Sequence, residues 1–98
     1  MKRVTYLSVA EVELAEAADY YDQQKPGLGR DFLDAVRRTE ARIQQNPELW
    51  VFHEKPLRVL RVQPFSYKLL YRELPDRIQI VAVMHFSRRP GYWRDRIS

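Results

Sequence analysis

The run Ile78-Gln79-Ile80-Val81-Ala82-Val83-Met84, apolar except for Gln79, sets the hardest constraint on this chain. A strand without polar alternation has no face to give to water. It must lie inside a sheet that is covered on both sides. The chain has 98 residues, 45% of them apolar and 12% aromatic. That is enough for one domain over residues 1–98 with a modest core, and it argues against disorder.

The rest of the sequence supplies elements to flank that strand. Residues 2–7 read as a short strand, favoured by Val4, Thr5 and Tyr6. Ser8 to Glu11 has the form of a capping box, with Ser8 as the cap and Glu11 reaching back. It opens a helix that ends near Gln24. Val12, Ala15 and Ala18, or Leu14, Ala18 and Tyr21, supply its apolar stripe. A Lys25-Pro26-Gly27-Leu28-Gly29 turn leads into a second helix, from Leu28 to Gln45. There Leu28, Phe32, Val36, Thr39 and Ile43 fall on one side. So short a connection packs the two helices as an antiparallel hairpin. Asn46-Pro47 stops the second helix, and residues 48–56 read as a connecting segment. Three strands follow at 57–62, 66–72 and 77–86, with turns at Pro64 and Pro75-Asp76. The expected fold is α+β in the order β-α-α-β-β-β: an antiparallel sheet packed against an N-terminal helical hairpin, with a short C-terminal tail.

Charge is segregated along the chain. Residues 1–54 hold 7 Lys/Arg against 10 Asp/Glu, and residues 55–98 hold 10 against 3. Arginine outnumbers lysine 13 to 4, a bias that suits planar contact with phosphate or carboxylate, although genomic composition produces it too. An acidic half beside a basic half implies two different binding faces. Glu11, Glu13, Glu16, Asp19 and Asp22 make the first helix acidic, and such a run is usually a solvated face. The ending His85-Phe86-Ser87-Arg88-Arg89-Pro90-Gly91-Tyr92-Trp93-Arg94-Asp95-Arg96 interleaves aromatic rings with guanidinium groups. Either it meets a polyanionic or protein target, or Tyr92 and Trp93 fold back to cap a small core.

Several classes are excluded. There is no cysteine, so disulfides, thiolate metal sites and thiol catalysis are ruled out, and a reducing cytoplasm is the expected location. No apolar run is long enough to span a membrane. The opening Met-Lys-Arg-Val-Thr-Tyr-Leu resembles a signal peptide, but Glu11 and Glu13 interrupt it. There is no metal motif, phosphate loop or cofactor signature, so no metal or cofactor is expected.

The order of elements, the Asn46-Pro47 stop, the strand Phe65-Ser66-Tyr67-Lys68-Leu69-Leu70-Tyr71-Arg72 and the ending His85-x-x-Arg88-x-Pro90-x-Tyr92-Trp93 resemble the RelE/ParE superfamily of toxins from bacterial type II toxin–antitoxin systems. Ala15-Glu16-Ala17-Ala18-Asp19-Tyr20-Tyr21 followed by Gly29-x-x-Phe32-x-x-Ala35-Val36 is similar to that family's helical hairpin, so the resemblance covers nearly the whole chain. It implies one fold with two activities. RelE-like members cleave messenger RNA on the ribosome, and ParE-like members poison DNA gyrase. Both are silenced by an antitoxin whose C-terminal segment folds onto the toxin.

Cleavage through a 2′-hydroxyl needs a base, an acid and cations on the phosphate. Arg61 as clamp, His85 as base, Arg88, and Tyr92 near the scissile bond would be the candidates, with Arg61 approaching His85 across the sheet. Arginine is a poor base because it stays protonated. The stretch where RelE is lysine-rich has only Lys55 here, and the Pro90-x-Tyr92-Trp93 ending resembles ParE-type chains more closely. His53 is given no chemistry. The expected protein is therefore a ParE-like, non-enzymatic gyrase inhibitor neutralised by a ParD-like antitoxin in a hetero-oligomeric complex. The alternatives are a RelE-like mRNA endoribonuclease and an inactive relative that only binds antitoxin. Arg88, Arg89, Tyr92, Trp93 and Arg94 are the target-binding candidates. Tyr20, Tyr21, Leu28 and Phe32 are the antitoxin-binding candidates.

Overall fold

A computed structural model describes residues 1–97. Strand β1 (Arg3–Tyr6) is followed by helices α1 (Ser8–Gln24) and α2 (Leu28–Gln45). Strands β2 (Phe52–Glu54), β3 (Leu57–Arg61), β4 (Tyr67–Glu73) and β5 (Arg77–His85) come next, then a 3-10 turn at Arg94–Arg96. The sheet order is β1-β5-β4-β3-β2. The α+β class and the helical hairpin are as expected. The sheet is mixed, because β1 runs parallel to β5 while the other neighbours are antiparallel. The segment expected to be a plain connection contributes the short edge strand β2, in which all three residues are exposed.

The helices begin and end where their sequence dictates, with one exception. Leu7 N–H still donates to Ile80 C=O at 3.0 Å, so the chain stays extended through Leu7 and enters α1 directly. Leu7 is thus the N-cap residue, Ser8 is already helical, and no side chain caps the first turn. The hairpin turn needs its glycines. Gly27 has φ 90°, in the left-handed region. A Cβ on Gly29 would stand 2.5 Å from the Ala18 carbonyl oxygen, so the helices approach closely only because that atom is absent. Asp22 Oδ1 accepts the Gly29 N–H at 2.7 Å and locks the turn.

β5 is the covered strand its composition demanded. Ile78, Ile80 and Val83 pack against Phe32, Val36 and Ile43 of α2 and Ala10, Ala17 and Ala18 of α1. On the other face Val81, Ala82 and Met84 join Leu57, Leu70 and Trp93. The switch of face between Ile80 and Ala82 comes from a bulge: Leu70 pairs with Ala82 and Tyr71 with Ile80, leaving Val81 extra. In α1 the structure buries the side bearing Leu14, Ala18 and Tyr21, while Val12 is 55% exposed, so the stripe through Val12 faces water.

Candidate functional site

The C-terminal tail forms the second cover of the sheet. After β5 the chain turns at Pro90 and Gly91, whose φ of 75° suits only glycine comfortably, and doubles back. Trp93 is 2% exposed and sits in the second apolar cluster, flanked by Tyr92 and Ile97. Of the two roles open to Trp93, the structure selects the cap. It is no longer available as a surface contact, because a marginal core of this size needs its large ring inside.

Glu13 holds the tail in place. Its Oε1 accepts Arg96 Nη1 at 2.7 Å and its Oε2 accepts Arg96 Nη2 at 2.9 Å, a bidentate pair. Tyr92 Oη donates to Glu13 Oε2 at 2.7 Å, and Val83 N–H donates to Oε1 at 3.0 Å. Arg96 Nη1 also donates to the Val81 carbonyl at 3.0 Å. β1 ends before this part of β5, so the pair satisfies strand-edge groups that no neighbouring strand reaches. Burial opposes ionisation of Glu13, but the hydrogen bonds from Arg96, Tyr92 and Val83 outweigh it and hold the carboxyl below its ordinary value. Arg96 is raised, chiefly by its hydrogen bonds to Glu13, with burial opposing. Tyr92 is pushed up to about 12, first by burial and then by donating to Glu13.

The nuclease candidates converge only in part: His85 and Arg88 line one pocket beside Glu13 and Tyr67, but Arg61 stands apart from His85. Arg61 pairs across the sheet with Lys68, and Lys68 with Met84, on the tail side. His85 pairs with Tyr67, one residue out of step, and the pleat sends it to the hairpin side. Arg61 and His85 therefore share one end of the sheet but not one face. His85 Nδ1 accepts the Ser87 backbone N–H at 3.0 Å, with Ser87 Oγ 2.7 Å away. Tyr92 is committed to Glu13. Arg88 lies 4.2 Å from the Tyr92 ring centre and 3.7 Å from Glu13 Oε2. Arg89 is exposed, and Arg94 forms a bidentate pair with Glu54 at 3.1 and 2.7 Å.

The hairpin candidates divide in the same way. Phe32 is fully buried among the rings of Tyr21, Phe65 and Tyr67, with centroids 5.2 Å from each of Phe65 and Tyr67. It is core rather than a contact. Tyr21 and Leu28 are half-buried, and Tyr20 is 54% exposed. The sequence reading missed a groove of about 550 Å³ whose floor is Tyr6, Leu14, Ala15, Ala18 and Leu33, with Glu11 and Asp19 also lining it. Val9 and Val12 are exposed on the same helix. The competing apolar stripes of α1 were the signal for it: a helix with apolar residues on more than one side is not finished by its own core.

The fold and these surfaces define a small α+β protein with a groove on its hairpin and a basic, aromatic corner on its sheet, in the α+β fold expected for RelE/ParE superfamily toxins. No family model matches the chain. It is 32% identical over 101 aligned residues, 99% of its length, to Toxin ParE2 of Mycobacterium tuberculosis strains CDC 1551 / Oshkosh and ATCC 25618 / H37Rv, covering 93% of each. A chain of the chromosomal ParDE TA system from P. aeruginosa shares the fold, with a TM-score of 0.75 and 16% identity over 87% of this chain and 96% of that one. The chain belongs to the ParE family of toxins.

Proposed function

We propose that this ParE-type toxin inhibits DNA gyrase and is neutralised by a cognate ParD-like antitoxin, in the cytoplasm and within a hetero-oligomeric complex. The nearly full-length identity to Toxin ParE2 carries the reading. The geometry supports a binding mode of action over ribosome-dependent RNA cleavage. Arg61 and His85 lie on opposite faces, and the Tyr92 hydroxyl is spent on Glu13. The antitoxin segment is assigned to the groove beside Leu14, Ala15 and Leu33; Tyr20 stands on the other side of α1, beside Glu13, Tyr67 and Arg88. A helix laid in such a groove buries apolar anchors at helical spacing. Arg88, Arg89 and Arg94 remain exposed as target contacts, although Arg94 pairs with Glu54 at the surface, and the Tyr92 hydroxyl is committed to Glu13.

The test is a purified gyrase supercoiling assay with this protein. Loss of supercoiling with accumulation of cleaved DNA, reversed by the antitoxin, is the expected result. Arg88→Ala with Arg89→Ala weakens that effect while circular dichroism remains unchanged. Unaffected gyrase together with cleavage of ribosome-bound messenger RNA would overturn the reading.

A further inference from the structure

One corner of the sheet carries cations that the fold leaves unneutralised. Arg61 ends β3, and Lys68 stands opposite it on β4, on the tail side. Arg88 and Arg89 are exposed in the loop after β5. Among the described residues no carboxylate lies within ion-pair distance of Arg61, Lys68 or Arg89, and Arg88 reaches only Glu13, at 3.7 Å. Phe86 stands among them, 45% exposed. The Arg61 guanidinium is 5.3 Å and the Lys68 ammonium 5.4 Å from its ring centre. Beside the ring is a cleft of about 160 Å³, lined by His53, Lys68, Met84, His85, Phe86, Arg88 and the Pro90-Gly91 turn. No carboxylate of the described residues lines it. Core packing does not account for this arrangement, because Phe86 belongs to neither apolar cluster and gathered like charges repel.

We propose that this corner binds a short stretch of single-stranded nucleic acid, with phosphates on Arg61, Lys68, Arg88 and Arg89 and one base against Phe86. An acidic peptide would satisfy the cations but offer nothing flat to the ring. A nucleotide strand satisfies both, since aromatic side chains stack bases while cations track the backbone. A duplex keeps its bases stacked on each other and leaves Phe86 without a partner. The cleft is the size of a phosphate or a base edge, too small for a helix. The site binds and does not cleave; it shares no residue with the antitoxin groove, and it shares Arg88 and Arg89 with the proposed gyrase surface, so Lys68 and Phe86 are the residues that test it separately.

The experiment is fluorescence anisotropy with the full chain, using labelled oligonucleotides of about 12 nucleotides: single-stranded DNA, single-stranded RNA and a duplex, beside a glutamate-rich peptide. Three or four phosphate contacts give log K against log salt a slope of about −2 to −3 for a single strand. Lys68→Ala flattens that slope by about 0.7. Phe86→Ala weakens binding about tenfold at unchanged slope, as loss of one stacked base requires. Phe86→Trp keeps the affinity, and both residues are at the surface, so circular dichroism stays constant. Tighter binding of RNA assigns the 2′-hydroxyl a contact, and equal binding assigns recognition to base and phosphate alone; either supports the site. Absence of strand binding at low salt overturns it. So does a Phe86→Ala variant that binds like the parent, or a glutamate-rich peptide that binds as tightly as the strands.

Discussion

Glu13→Ala should loosen the whole C-terminal cover. The Glu13 and Arg96 side chains are only 11% and 12% exposed, and the carboxylate also serves Val83 N–H and Tyr92 Oη. Removing one member of a buried pair leaves the other charged and uncompensated, which costs about 3–5 kcal/mol. The residual exposure places this pair near the lower figure. A domain of this length has a total stability of about 5–15 kcal/mol, so the loss is a large fraction of it. With a urea m-value of about 1–2 kcal/mol/M, the midpoint falls by about 1.5–3 M. Glu13→Gln keeps an acceptor for Val83 and should fall less. Glu13→Leu combined with Arg96→Met should recover most of the loss, because no lone charge remains. The pH dependence follows from the depressed carboxyl. A group with a folded pKa below its unfolded value stabilises fully above the unfolded value, about 4.3, and loses that contribution as pH falls through the folded one. Urea midpoints measured between pH 7 and pH 3 should therefore drop more steeply for the parent than for Glu13→Gln. A shift below about 0.5 kcal/mol for Glu13→Ala, or parallel acid limbs for parent and Gln variant, would refute the latch and leave Trp93 as the only anchor.

Trp93→Ala should cost about 3–5 kcal/mol in a thermal or urea melt, through loss of a nearly fully buried ring. Trp93→Phe should cost clearly less, since Trp93 Nε1 is buried without a hydrogen-bond partner among the described residues and its removal relieves that penalty. Gly29→Ala should destabilise by about 1–3 kcal/mol in the same melts, because its Cβ would meet the Ala18 carbonyl oxygen at 2.5 Å. Ala15→Arg should weaken antitoxin binding about tenfold by calorimetry while gyrase inhibition is unchanged, since Ala15 is exposed and lines the hairpin groove, whose walls share no residue with the basic corner.

The helices and four of the five strands were legible because each is set by local chemistry. Asn46-Pro47 stops α2 at Gln45, and the stripe through Phe32, Val36, Thr39 and Ile43 is buried as its spacing requires. β2 was not legible, since three exposed residues carry no alternation to read. The parallel pairing of β1 with β5 joins segments some seventy residues apart, and nothing in Arg3–Tyr6 names its partner. The bulge at Val81 was hidden as well. In a run apolar on both faces, an extra residue changes which side chains face the hairpin without changing the pattern.

The site was harder to read because charge counts do not separate structural cations from free ones. The basic half reads as one surplus, yet much of it already has partners within the chain, some buried and some at the surface. Arg96 holds Glu13, Arg94 holds Glu54, Arg77 holds Asp76, Arg72 donates to Gln79, and Arg58 donates to the Trp50 carbonyl. Glu13 looked like one of five solvated acids on α1, but its partners Val83 and Arg96 are 70 and 83 residues away, beyond any helical spacing rule. Once these pairs are subtracted, Lys55, Arg61, Lys68, Arg88 and Arg89 remain; Lys55 lies over the Phe52 ring between β2 and β3, and the ends of β3, β4 and β5 gather the other four at one corner. The exposed positive surface is therefore smaller and more local than the composition suggests. That makes the effect of mutating any one of these four residues on partner binding correspondingly larger.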